Sequence, residues 1–66
     1  MTDWFVGNSG KIYKAEINKR LGSVRVWFGD IDLSLSLLVN SDTTFTNYWH
    51  AYAYQQRLLR QRKEVK

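Results

Sequence analysis

The sequence predicts an α+β fold, an antiparallel meander of three or four strands packed against one long C-terminal helix. Two observations predict it. Polar and apolar residues alternate between Lys11 and Leu35, as they do in strands that bury one face. After Asn40 the apolar residues recur every three or four positions instead, which is typical of a helix. We expect a single domain, with the sheet over about residues 3–39 and the helix over about residues 43–64.

Turn residues divide the alternating region into strands. Residues 8–10 tolerate positive φ, Gly22 lies in the next return of the chain, and residues 29–30, Gly-Asp, form a two-residue hairpin connection. The predicted strands cover residues 3–7, 11–19 and 24–28, and a further strand begins at residue 31. The sequence leaves open whether residues 35–39 end that strand or begin the helix.

The alternation assigns one face of the sheet to the core. The apolar side chains that share this face are Tyr13, Ala15, Ile17, Val24, Val26 and Phe28. A helical stripe is expected to cover them, formed by Phe45, Tyr48, Trp49, Tyr52 and Leu59. Ser41 or Asp42 is expected to cap the helix, because either side chain can accept hydrogen bonds from its free amide groups.

A second, weaker stripe lies on the opposite side of the predicted helix. It consists of Ala51, Tyr54 and Leu58, and a monomer of this size has no further layer to cover it. One interpretation is an interface for a partner helix, and hence a homodimer through the helix. The other is scattered exposed apolar residues, which are normal on protein surfaces.

Composition argues against several classes of function. The 66 residues include no cysteine, so neither a disulfide nor a thiolate metal site is available, and His50 is the single histidine. No Ser-His-Asp arrangement, phosphate-binding glycine loop or calcium-loop spacing occurs. We therefore expect no catalysis, no cofactor and no metal.

Charge and targeting signals indicate the kind of partner. The formal charge of +4 favours polyanions, most often nucleic acid. The N-terminus lacks the pattern of a signal peptide, and no apolar run approaches the roughly 20 residues that span a bilayer. We expect a cytoplasmic protein with no membrane partner.

The polar face of the predicted sheet is the first candidate site. It carries Lys14, Glu16, Asn18, Arg25 and Trp27, and Lys11 is a further candidate nucleic-acid contact. A narrow strand ribbon can enter the DNA major groove, where Arg reads guanine, Asn reads adenine and Glu accepts from cytosine. The alternative is an ion pair between Glu16 and Arg25 on an otherwise inert sheet.

The C-terminal segment is the second candidate. Its cations Arg57, Arg60, Arg62 and Lys63 can contact phosphates, which gives an affinity that falls steeply with salt. The alternative is a solvated helix end whose cations complement the negative end of the helix dipole.

Four short motifs lie in the alternating region. They are Gly10-Lys11, Lys14-Ala15-Glu16-Ile17, Arg25-Val26-Trp27-Phe28-Gly29 and Ile31-Asp32. Together they resemble the plant AP2/GCC-box type of DNA-binding domain and its integrase-like relatives. The resemblance implies a three-stranded sheet that packs on one helix and enters the major groove, with Glu16, Arg25 and Trp27 on DNA. Asn18 stands where that family usually has an arginine. In the family the helix begins directly after the acidic residue that corresponds to Asp32 here.

These observations favour a small basic DNA-binding accessory protein. It would read duplex DNA with the polar sheet face and gain affinity from its basic C-terminal helix. The alternative is a protein-interaction module, such as a small phage or mobile-element factor that binds and modulates a host protein. Its aromatic content of 15% supports this alternative, because Trp and Tyr are frequent interface anchors.

Overall fold

The α+β architecture is confirmed by the structure, a computed structural model that describes residues 2–64, with side chains through Arg62. Its elements are β1 (Asp3–Val6), β2 (Ile12–Asn18), β3 (Ser23–Phe28), β4 (Ile31–Ser36), α1 (Leu37–Asn40), a 3-10 turn (Ser41–Thr43), β5 (Thr44–Phe45) and α2 (Tyr48–Glu64). Neither helix within the described residues has the length and apolar character that a membrane crossing needs.

The strands form one antiparallel sheet in the order β4-β3-β2-β1-β5. The first four strands follow one another as a meander, and β5 returns to pair with β1. The predicted hairpin between β3 and β4 is present, since Phe28 lies opposite Ile31 and Gly29 has φ +65°. Glycine is favoured there because the first central residue of this turn requires positive φ.

The segment between β4 and α2 differs from the prediction. The fourth strand ends at Ser36, and one helical turn and one 3-10 turn follow before β5. Thr44 and Phe45 are extended and pair with Phe5 and Trp4, so the long helix begins at Tyr48 instead of about residue 43. Apolar spacing alone assigned Thr44 and Phe45 to the first helical turn, but they pair with β1 instead.

The cap of α2 is also displaced. The side-chain oxygen of Asn47 accepts a hydrogen bond from the backbone N–H of Trp49 at 2.8 Å. Asn47 thus takes the role expected of Ser41 or Asp42, which lie in the 3-10 turn. Asn is among the preferred N-cap residues, and the later start of the helix explains the difference.

The inner face of the sheet forms the main apolar core, as the alternation predicted. We use this name for the face that carries Phe5, Ala15, Val24 and Val26, all of them buried. Packed against them are Tyr13, Ile17, Phe28 and Leu35. All these residues belong to strands, so the twisted sheet must curl around its own inner face to exclude water from it.

The long helix packs on the opposite side of the sheet, against β1 and β5. The ring of Tyr48 lies 5.0 Å from that of Trp4, and the ring of Tyr54 lies 5.5 Å from that of Phe45. Trp4 and Phe45 are cross-strand neighbours on the face that Phe5 does not use. The expectation that α2 covers the inner face is therefore wrong, because the curled sheet already shields it.

The stripe of α2 that meets the sheet is shifted around the helix from the expected one. Ala51 is fully buried, while Tyr54 and Leu58 are half-buried; we call these three residues the inner helix stripe. The expectation that they lie uncovered, ready for a partner helix, is wrong. Among the expected core residues, Trp49 and Tyr52 are exposed, while Tyr48 and Leu59 are partly exposed at the border of the contact, beside Trp4 and Gly10. The small side chain of Ala51 allows the helix to approach the sheet more closely than an aromatic residue would.

The turn between β1 and β2 anchors the last turns of α2. Gly10 has φ +86°, and a Cβ atom there would lie 2.9 Å from a methyl carbon of Leu59. The side-chain amide of Gln55 donates to the Gly10 carbonyl at 2.7 Å, and the guanidinium of Arg62 donates to the carbonyls of residues 8–9. A glycine is favoured at this point, both for its positive φ and because of the close approach of Leu59.

Candidate functional site

The outer sheet face is the first candidate site, and β2 and β3 position it. We use this name for the face that carries Lys14, Glu16, Asn18, Arg25 and Trp27. Glu16 lies directly opposite Arg25 in the register of these two strands. Lys14, Glu16 and Arg25 are exposed, and Asn18 and Trp27 are half-buried. The five residues therefore share one accessible surface beside α2.

Arg25 is held by a carboxylate from the neighbouring strand β4. Its Nε atom donates to both carboxylate oxygens of Asp32, at 2.9 and 2.8 Å, and its Nη2 atom lies 2.5 Å from Oδ2. The hydrogen bond from Arg25 lowers the pKa of Asp32, and the same bond raises the pKa of Arg25. Arg25 thus pairs with Asp32 instead of Glu16, whose charge adds a weaker attraction.

Trp27 completes the arrangement around the guanidinium group. The central carbon of that group lies 5.4 Å from the centre of the Trp27 ring, within the range of a cation–π contact. Asp32 lies directly opposite Trp27 across the β3–β4 pair. Arg25 therefore already has an anionic and an aromatic partner. Its contacts with Asp32 use Nε and Nη2, so the N–H groups of Nη1 and the second N–H of Nη2 can still donate to a guanine.

Two other predicted residues have structural contacts of their own. The side-chain oxygen of Asn18 accepts a hydrogen bond from the backbone N–H of Leu21 at 3.1 Å, which closes the turn between β2 and β3. Lys11 precedes β2, and its ammonium group lies 5.7 Å from the centre of the Tyr13 ring. Because Tyr13 belongs to the inner face, Lys11 lies apart from the outer sheet face.

Charge is distributed unequally between the sheet and the end of α2. The outer sheet face, with Asp32 included, carries two cations and two carboxylates. Over residues 1–56, five Lys and Arg residues are balanced by five Asp and Glu residues. Residues 57–66 hold five Lys and Arg residues and one Glu, so the whole formal charge of +4 arises there.

The outer helix face is the second candidate site. We use this name for Trp49, Tyr52, Gln56 and Arg60, which follow one another along α2 at spacings of three and four. All four are exposed, Trp49 by 70%. The ring of Trp49 makes edge-to-face contacts with Tyr48 at 5.6 Å and Tyr52 at 6.0 Å. One accessible helix face therefore has an aromatic end followed by a basic end.

The predicted basic residues of α2 divide into two groups. Arg57 and Arg60 are exposed, and among the described residues neither forms a hydrogen bond or ion pair through its side chain. Arg62 instead anchors the helix to the turn at residues 8–9. The side chain of Lys63 lies outside the described part of the structure, as does Lys66. Among the described cations of α2, Arg57 and Arg60 are therefore the two that a ligand can reach directly.

The described residues form no metal site, since no three side chains of His, Cys, Asp or Glu come together among them. His50 is exposed on α2, where it lines an open groove with Phe45, Tyr54 and Arg57. A single imidazole in an open groove cannot provide the three or four ligands of a typical zinc site.

The sequence contains a signal for the partner of Arg25. A two-residue connection at residues 29–30 places Trp27 opposite Asp32, and Arg25 then lies on the diagonal within reach of the carboxylate. No comparable signal indicates the exposure of Trp49. Both stripes of α2 contain apolar residues, and helical spacing alone does not identify the stripe that meets the sheet.

Comparisons with known proteins give no relative: no family model matches the chain, and neither a curated protein nor a solved structure matches it significantly. The resemblance to the AP2/GCC-box type of domain therefore stays a prediction. Its motifs extend from the start of β2 to the start of β4, and α2 follows a fifth strand instead of Asp32. Geometry and charge at the two candidate sites are thus the basis for a functional proposal.

Proposed function

We propose that the protein binds nucleic acid and that the outer helix face, together with Arg57, makes the principal contact. The observation that carries this proposal is that residues 57–66 contribute the entire formal charge of +4. A phosphate backbone attracts such a cluster, and the release of condensed counterions from the nucleic acid favours binding. The neutral outer sheet face offers no comparable attraction.

The aromatic end of the same face supplies a second component of binding. Arg60 lies eleven residues after Trp49, which is about 16 Å along the helix axis. Measured along the axis of duplex DNA, that distance spans roughly five phosphates of one strand. One strand can therefore contact Arg60 and also reach Trp49 and Tyr52, whose rings suit sugars and unpaired bases.

The outer sheet face has a secondary role in this proposal. The pair between Arg25 and Asp32 is exposed, and exposed ion pairs contribute little to stability. Arg25 can donate to a guanine through its remaining N–H groups, while Asp32 holds it in place, once the helix has docked on duplex DNA. Glu16 and Asn18 lie beside Arg25 and would contact neighbouring bases. The cytoplasmic location stays a prediction in keeping with such a partner.

The test is to measure the affinity for labelled duplex and single-stranded DNA over a salt series. The variant Arg57→Gln/Arg60→Gln removes two cations from α2, and Lys19→Gln/Arg20→Gln removes two exposed cations from the β2–β3 turn. If both helix cations contact phosphates, the helix variant should reduce the slope of log K against log salt by roughly 1.8 for duplex DNA. The turn variant should change the slope much less.

Equal losses in the two double variants would show that overall charge, and not the helix, determines binding. Absence of salt-dependent binding by the wild-type protein would overturn the proposal entirely. Circular dichroism of each variant must show an unchanged fold, which is expected because all four side chains are exposed.

A protein partner is the second candidate function, and the chain of contacting aromatic rings favours it. Trp4, Tyr48, Trp49 and Tyr52 form this chain, and Trp49 is largely exposed at its centre. Exposed Trp and Tyr residues are the usual anchors of protein interfaces. Capture of one stoichiometric protein from nuclease-treated lysate, insensitive to salt but lost in Trp49→Ala, would support this candidate over nucleic acid.

A further inference from the structure

We infer that a second copy of this chain pairs with the free edge of the sheet, strand β4 against strand β4. β4 is an end strand of the sheet, hydrogen-bonded to β3 on one side. No other strand of the described residues pairs with its second side. Such an edge offers a row of N–H and C=O groups that can hydrogen-bond to another strand.

The edge lacks the features with which proteins usually prevent strand pairing. β4 has the sequence Ile-Asp-Leu-Ser-Leu-Ser, with neither lysine nor proline. Its six residues pair with β3 consecutively, so no bulge interrupts them. The single charge of the strand, on Asp32, is directed to Arg25 of its own sheet. Nothing in the strand therefore opposes an incoming copy by charge or shape.

Apolar side chains beside this edge are only partly covered. Ile31 is 58% exposed and Leu33 is 48% exposed, although Leu33 lies opposite the fully buried Val26 on the inner face. Leu38 and Val39 follow in α1 and are exposed even further. A strand added at this edge would extend the inner face and bury Ile31 and Leu33, which favours association.

The sequence of β4 is complementary to itself, which identifies a second copy as the occupant. In antiparallel pairing about a two-fold axis at Leu33, this residue faces Leu33 of the other copy, and Ile31 faces Leu35. On the other face Asp32 lies opposite Ser34, so the two carboxylates do not meet. The register centred on Asp32 is disfavoured, because it would bring two like charges together. A two-fold interface requires this kind of self-complementarity.

The first test is the molar mass of the wild-type protein in solution over a concentration series, without nucleic acid. Light scattering should show an increase from 7.8 kDa towards twice that mass. Leu33→Lys should raise the dissociation constant by at least roughly tenfold, because two lysines would face each other across the axis. Ala53→Lys is the control, since Ala53 is exposed on α2, which packs at the opposite end of the sheet from β4.

Disulfide trapping provides a second test that does not depend on the stability of a lysine variant. The chain contains no cysteine, so Leu33→Cys introduces a single thiol. Opposed side chains of an antiparallel pair have Cβ atoms about 4.5–5.5 Å apart, close to the separation in a disulfide. Under mild oxidation Leu33→Cys should form a covalent dimer much faster than the control Ala53→Cys, whose thiol would be exposed on α2.

Each outcome decides the inference. A dimer that persists in folded Leu33→Lys, or equal trapping of the two cysteine variants, would place any association elsewhere. A wild-type protein that stays monomeric at the highest concentration would overturn the inference. Nucleic-acid binding is measured separately, so its presence or absence does not change these conclusions.

Discussion

The two stripes of α2 show how differently one helix can use similar residues. The inner helix stripe meets the sheet with its smallest member, Ala51, in the most buried position. The outer helix face presents the large ring of Trp49 to solvent. Because the sheet curls around its own core, the helix does not have to cover that core with its most apolar stripe. The helix docks through close packing on β1 and β5. The large side chains of Trp49 and Tyr52 are therefore available for other contacts.

Enlarging one alanine on each side of α2 tests this comparison most directly. Ala51→Leu should destabilise the protein by roughly 1–3 kcal/mol, because it places extra methyl groups in a fully packed contact. Ala53→Leu lies two residues away on the exposed side and should change stability by about 0.5 kcal/mol or less. Urea unfolding measures both. Equal effects would mean that the two sides of the helix do not differ in burial.

Removing one tryptophan from each candidate site tests the functional side of the comparison. Trp49→Ala should weaken binding to single-stranded DNA about tenfold, which is the low end of the 1–3 kcal/mol typical of base stacking. Trp27→Ala, on the outer sheet face, should change the same affinity much less, because Trp27 is half-buried beside Arg25. Fluorescence anisotropy measures both. A larger loss in Trp27→Ala would shift the principal contact to the sheet.

Two glycines with positive φ distinguish backbone strain from close helix packing. Gly10→Ala and Gly22→Ala both place a side chain at a positive φ, but only Gly10 has an atom of α2 within 3 Å of the added Cβ. Backbone strain should lower the free energy of unfolding of each variant by about 1 kcal/mol. Gly10→Ala should lower the free energy of unfolding by a further amount of similar size, because the added methyl group meets Leu59. Thermal unfolding of both variants measures the difference, and identical losses would show that the helix adjusts freely.

The smallest expected effect concerns the pH dependence of the pair between Asp32 and Arg25. Because Arg25 lowers the pKa of Asp32, the pair stabilises the folded protein above the unfolded pKa of about 3.9. This stabilisation is lost as the pH falls through the lower folded pKa. Asp32→Asn should therefore reduce the acid-side loss of thermal stability slightly, and high salt should reduce the difference. An unchanged acid profile would indicate that solvent screening cancels the contribution of this pair.

The strands and their faces could be predicted because each rests on a local pattern. Alternation assigned Ala15, Val24 and Val26 to one face, and the Gly29-Asp30 turn fixed the register of β3 with β4. The charged residues of the outer sheet face followed from the same alternation. What local patterns do not contain is the curvature of the sheet, which depends on how all five strands pack together.

The beginning of α2 and its orientation could not be predicted for that reason. Phe45 fits the helical spacing, but pairing with Trp4 of β1 places it in a strand. Once Phe45 belongs to β5, the helix begins at Tyr48 and docks on Trp4 and Phe45 from outside the sheet. The contacts of Trp4 with Phe45 and with Tyr48 join residues more than 40 positions apart, which no pattern within the helix can indicate.

The separation of the inner-face core from α2 has a consequence for motion. Since the core cluster draws its residues from the strands, its own apolar contacts remain when the helix detaches. Proteins open locally in cooperative units, and α2 with its anchors at Gly10 and residues 8–9 has the character of one such unit. Amide protons of α2 should then exchange with solvent faster than those of β2 and β3. A ligand that binds α2 only when it is docked would slow this exchange, because it would stabilise the contact between α2 and the sheet.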